Sequence, residues 1–158
     1  MVSNSKKSSR SVSCYQKAIS NKVGWADIQL REHSQWHSLK KSNSTVSNLE
    51  DKYEKVQTTT IDEEVAKHGV SLIDFLKIDT EGFEQEVLEG AKTSLLNRKI
   101  KFIYIESTLR ELPENHTHLK IINDLLIKYD YRLVAIYDQM IFPRFQQGFF
   151  NALYINLD

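Results

Sequence analysis

The stretch that most constrains this chain is Leu72–Ala91, LIDFLKIDTEGFEQEVLEGA. Leu72, Ile73, Phe75, Leu76 and Ile78 make a short apolar run, which predicts a strand buried on both faces. Asp79, Thr80, Glu81 and Gly82 punctuate it as a turn, and Phe83, Val87, Leu88, Ala91 and Leu95 then recur at the spacing of one helical face. In open α/β sheets, ligands lie beyond the carboxyl ends of the strands, which is where Asp79 and Glu81 fall. Two readings of these residues stand side by side. Either Asp79 or Thr80 caps the helix while Glu81 favours its positive end, or the acidic residues face a cleft and bind a ligand.

The order Lys77, Ile78, Asp79, Thr80, Glu81, Gly82 at a strand end, with EVLEGA following at Glu86–Ala91, resembles the signature of the FkbM-type methyltransferases. TTTIDE at Thr58–Glu63, KFIYIE at Lys101–Glu106 and NALYIN at Asn151–Asn156 agree with it, so the resemblance covers most of the chain from about Gln16 onward. It implies a Rossmann-like class I methyltransferase fold, α/β, with a mostly parallel sheet that ends in an antiparallel strand pair. It also implies S-adenosylmethionine as methyl donor and a hydroxyl of a sugar, glycan or natural product as acceptor. Under it Asp79 lies nearest the methyl centre, as base or as partner of the donor's ammonium, Glu81 orients the acceptor, and Glu106 assists. Ser38, of the Ser38–Leu39 pair, would meet the donor or the substrate; without the family it reads as one of many solvated loop serines.

With 158 residues, 41% hydrophobic and 27% charged, the chain has the length and balance of one soluble domain. Lys plus Arg equals Asp plus Glu at 21 each, so no overall field favours nucleic acid, an anionic membrane or an acidic partner. Cys14 is the single cysteine, which excludes an intramolecular disulfide, suits a reducing compartment and points to the cytoplasm. Residues 1–12 are basic and serine-rich with no apolar core behind them, so we expect a disordered tail and not a secretory signal, with the domain over 13–158. No run approaches the roughly 20 apolar residues that span a bilayer.

Along the chain, Val12–Ile19 and Trp25–Arg31 read as strands joined by a turn at Asn21–Gly24. Glu32–Lys55 reads as a long polar loop of the kind that forms lids. Lys55–Ile61 reads as a strand, Asp62 as the N-cap of the next helix, and Gly69 as that helix's left-handed stop. Phe102–Ile105 predicts a second parallel strand beside the first, which puts Glu106 next to the end that carries Asp79. His116–Tyr129 reads as a helix, started by Pro113 and Asn115, on which His116 and His118 point apart and make poor metal partners. Tyr131–Tyr137 and Phe149–Asn156 predict an antiparallel pair. A rival chemistry is a magnesium or calcium site built from Asp79, Glu81 and Glu84, against which Glu84 diverges along its helix.

The five glycines include no closely spaced pair, so no G-x-G-x-x-G turn can form to admit the donor. Set against the resemblance, this predicts a domain truncated at its N-terminus, with the glycine turn and a ribose-binding acid upstream of Met1. Two functional expectations follow. The chain is an O-methyltransferase portion completed by other sequence, or it is a non-catalytic remnant or interaction module. An open sheet edge would invite self-association or a partner chain.

Overall fold

The computed structural model describes residues 12–30, 38–39, 52–110, 116–142 and 146–157. In chain order its elements are β1 (Ala18–Ile19), β2 (Gly24–Leu30), β3 (Ser38–Leu39), β4 (Lys52–Thr59), α1 (Ile61–Lys67), β5 (Ile73–Ile78), α2 (Glu84–Glu89), α3 (Lys92–Leu96), β6 (Ile100–Ser107), α4 (Leu119–Leu126), β7 (Tyr131–Tyr137), β8 (Ile141–Phe142), β9 (Gln146–Gln147) and β10 (Phe150–Asn156). One sheet has the order β5-β6-β10-β7 and another β1-β4-β2-β3, while β8 and β9 form a short ribbon.

The class expected from the sequence, α/β, is what the chain adopts, but the sheets are mixed and not mostly parallel. In the first sheet β5 and β6 are parallel, whereas β10 runs antiparallel to both β6 and β7. The reason is the connection. A parallel return needs a crossover of a dozen or more residues, usually a helix. Here β7 leads through the β8/β9 ribbon straight into β10, which slots between β6 and β7. The antiparallel pairing of the last two long strands therefore agrees with the sequence reading.

One face of this sheet is the core. Ile78, Ile103, Ile105, Ala152 and Tyr154 cluster with Val87, Leu88, Leu95, Ile122 and Leu126 from the helices, all of them buried. Strand alternation puts Phe75, Phe102 and Tyr104 on the other face, where Phe75 and Tyr137 are exposed and Tyr104 lies between their rings at 5.8 and 6.1 Å, so the strand expected to be buried on both faces is buried on one.

Several local expectations are corrected. The helical face from Phe83 to Leu95 is split between α2 and α3 by a turn at Gly90. A Cβ on Gly90 would lie 2.2 Å from the Ser20 carbonyl oxygen, so this turn needs glycine for close backbone approach. The first strand is only Ala18–Ile19, and β4 begins at Lys52, inside the expected loop. Thr60, and not Asp62, is the N-cap of α1, its hydroxyl accepting from the Glu63 N–H at 3.0 Å. Asp62 instead accepts from the N–H groups of Thr93 and Ser94, each at 2.8 Å, and so fastens the start of α3 to α1. Gly69 is left-handed with φ 61°, as a helix stop requires. The last long helix starts at Leu119 with His118 as its N-cap, so His116 lies before it.

Candidate functional site

The site lies where β5 and β6 end side by side, in register at Ile78 and Ile105. Beyond Ile78 the chain turns sharply, because Glu81 and Gly82 both take left-handed backbone, φ 51° and 97°. That conformation is natural for glycine and costs a glutamate of order 1 kcal/mol, so something must hold the turn. Glu84 does. It is fully buried, and its Oε1 accepts from the Thr80 N–H at 3.2 Å, the Thr80 hydroxyl at 3.1 Å and the Gly82 N–H at 3.0 Å.

The other oxygen of Glu84 reaches a distant segment, accepting from the Thr117 N–H at 3.0 Å and the Thr117 hydroxyl at 2.7 Å. Thr117 is also sewn to the end of β6. The Ser107 hydroxyl donates to its carbonyl at 2.9 Å, and the Leu119 N–H donates to the Thr108 carbonyl at 2.9 Å. The Thr108 hydroxyl in turn donates to the Gly148 carbonyl at 2.7 Å. These bonds bring His116 and Phe149 to the strand ends, their rings tilted at 41° with centroids 5.0 Å apart.

Asp79, Glu81 and Glu106 converge in the resulting recess, each with a carboxylate oxygen within 4.8 Å of the others. Asp79 is exposed and paired with the Lys77 ammonium. Glu81 is half-buried, and burial pushes its carboxyl above the usual range; Glu106, Asp79 and Glu84 add to this and His116 opposes it. Glu106 is 7% exposed. Its Oε2 lies 3.2 Å from His116 Nδ1, an ion-pair distance whose angles make no hydrogen bond, so both buried atoms lack a hydrogen-bond partner among the described residues. Burial alone would lower the His116 pKa, but Glu106, Glu81 and Glu84 outweigh it and hold the imidazole above its ordinary value.

The structure thus brings together three of the four residues singled out from the sequence, Asp79, Glu81 and Glu106. Ser38 has its backbone in β3, paired with Gln29 in the other sheet; its side chain lies outside the described residues. Glu84 cannot join a cation site with Asp79 and Glu81, since the turn and Thr117 take up its oxygens; Glu106 stands in that place. Three converging carboxylates suit a cation, either a hard divalent ion or the sulfonium and ammonium of an organic donor. The sequence reading puts His116 with His118 on one helix and so does not place it beside Glu106. The available signal was its position in the connection that leaves the carboxyl end of β6, where ligand-binding loops of α/β sheets lie.

Comparison with known proteins bears on what this recess serves. The chain is 36% identical over 93 residues to the 2-O-methyltransferase NoeI of Sinorhizobium fredii (strain NBRC 101917 / NGR234), a match covering 59% of this chain and 35% of that protein. The match therefore spans about a third of the relative's length. No solved structure matches the chain significantly. The family model described as the methyltransferase FkbM domain matches residues 4–133, most of the sequence, and the chain belongs to that family.

Proposed function

We propose that this chain is an S-adenosylmethionine-dependent O-methyltransferase whose acceptor is a hydroxyl of a sugar, glycan or natural product. The observation that carries the reading is the convergence of Asp79, Glu81 and Glu106 at the ends of adjacent parallel strands. Its support is chemical fit and kinship. The donor is a sulfonium that also bears an ammonium, and a recess lined by three carboxylates favours positive charge. The similar NoeI is named a 2-O-methyltransferase, which supports a hydroxyl acceptor here.

S-adenosylmethionine supplies an electrophilic methyl group. The residues of this chain hold and align what reacts with it. Asp79, exposed and already a partner of the Lys77 ammonium, holds the donor's ammonium. Glu81, poised on its left-handed turn, accepts from a hydroxyl of the acceptor and orients it, and the buried Glu106 sets the charge behind it. Methyl transfer is an in-line displacement, so this alignment is the larger part of the catalysis.

The test is methyl transfer from radiolabelled S-adenosylmethionine to a panel of mono- and oligosaccharides. Asp79→Asn removes a charge-assisted contact of about 1.5–3 kcal/mol and should weaken donor affinity about tenfold or more, with the melting temperature unchanged. Absence of transfer to every acceptor would favour a non-catalytic remnant of the same fold.

A further inference from the structure

We infer that His116, held by Glu106, is the base that receives the proton of the acceptor hydroxyl, an assignment that rests on the O-methyltransferase reading above. The geometry is that of an oriented imidazole. Nδ1 is sealed from solvent and faces Glu106 Oε2 at 3.2 Å, and the ring lies against Phe149 at 5.0 Å. The side chain nevertheless keeps 19% exposure. One ring nitrogen thus stands beside a carboxylate of the acidic cluster, and the charge of Glu81, another member of it, also acts on the ring. A base within reach of the reacting hydroxyl, with a third group fixing its ring, is the arrangement general-base catalysis requires.

The backbone supports the same placement. His116 precedes α4 and does not sit in its first turn, and Thr117 anchors it through Glu84 Oε2 on one side and through Ser107 on the other. In the transfer itself the acceptor oxygen forms a bond to the methyl carbon as the methyl–sulfur bond breaks. That bond's electron pair stays on sulfur, and the hydroxyl proton passes to His116 Nε2. The imidazolium so formed is stabilised by Glu106, a positioning residue, and by the other carboxylates whose charge acts on it, Glu81 from the β5–α2 turn and Glu84 from α2.

The experiment uses the whole chain, radiolabelled S-adenosylmethionine and the saccharide panel, with rates taken between about pH 5 and 9. His116→Gln should lower kcat by about 10²-fold or more while the KM for the donor stays within about twofold. His116→Ala should regain rate when free imidazole is added, which a purely structural histidine would not show. The wild-type rate should rise with pH through a titration above the ordinary imidazole value, and in Glu106→Gln that rise should move to lower pH. A wild type that transfers methyl groups while His116→Gln does so equally well overturns this assignment and leaves the O-methyltransferase reading standing. A wild type with no transfer overturns both. Should substitution at His116 unfold the chain, Glu106→Gln carries the test, and an unmoved pH profile overturns the assignment.

Discussion

Two glutamates stand at neighbouring ends of the same sheet, and both are buried, yet their surroundings are opposite. Glu84 spends both oxygens on the protein, closing the turn at Thr80–Gly82 and tying down Thr117. Glu106 leaves Oε2 beside the His116 ring with no hydrogen bond among the described residues. Burial of a charge is tolerable when hydrogen bonds replace its water. Glu84 meets that condition and behaves as scaffold. Glu106 meets it only in part, and that is what makes it a candidate for the proposed site.

The contrast breaks most visibly at Glu84. Replacing it by Ala leaves the Gly82 and Thr117 N–H groups buried without an acceptor and takes one from the part-buried Thr80 N–H, and each buried loss costs about 1–3 kcal/mol. We expect a loss of about 3–5 kcal/mol in chemical denaturation, a large share of the stability of a domain this size. Glu84→Gln keeps the volume but turns an amide NH2 toward one set of donors, so it should lose roughly half as much. Because Thr117 carries His116 to the site, both variants should also lose methyl transfer. A Glu84→Ala variant as stable as wild type would show that these bonds are not needed to hold the turn.

Glu106→Gln should do the reverse, lowering activity while costing less than about 1 kcal/mol of stability, since Oε2 has no hydrogen bond to lose. What it does lose is the interaction with the His116 imidazolium. The His116 pKa is raised in the folded chain, so that interaction stabilises fully below the ordinary imidazole pKa of about 6.5. It fades as pH rises through the higher folded value. Melting curves of the pair should differ most at mildly acid pH and converge in alkaline buffer. A gap that widens with pH would reverse the assigned sign.

How far the sequence foretells this site follows from how local each feature is. The strand Ile73–Ile78, the acidic turn and the parallel partner ending at Glu106 are legible because apolar runs and turn residues are short-range signals. Glu84 reads as a residue that diverges along its helix, away from the acidic turn. Its burial depends on Thr117, which lies 33 residues away in sequence, and no local pattern announces that. His116 is hidden for the same reason, since Ser107 and Glu84 fix its place. The order β5-β6-β10-β7 eludes the sequence too, because the insertion of β10 beside β6 depends on two strands competing for one edge.

Asp62 is less buried than either glutamate and gives the smallest and most exacting test. Its carboxylate accepts from the Thr93 and Ser94 N–H groups and from the Ser94 hydroxyl at 2.6 Å. Those N–H groups are among the first of α3 and have no partner within the helix. Burial alone would raise the Asp62 pKa, but the bonds from Ser94 and Thr93 outweigh it and hold the pKa below its ordinary value. Asp62→Asn keeps one acceptor oxygen and loses the other together with the charge. Caps of this kind contribute about 0.5–2 kcal/mol, and partial solvation of the site favours the lower half of that range. A carboxyl with a depressed folded pKa stabilises fully above its unfolded value, about 3.9, and loses that contribution as pH falls through the folded pKa. The expected result is a stability gap of about 1 kcal/mol between wild type and Asp62→Asn at neutral pH, closing as the buffer is taken well below pH 4. A gap that is the same at both ends would mean that the shape of the cap, and not its charge, joins α1 to α3.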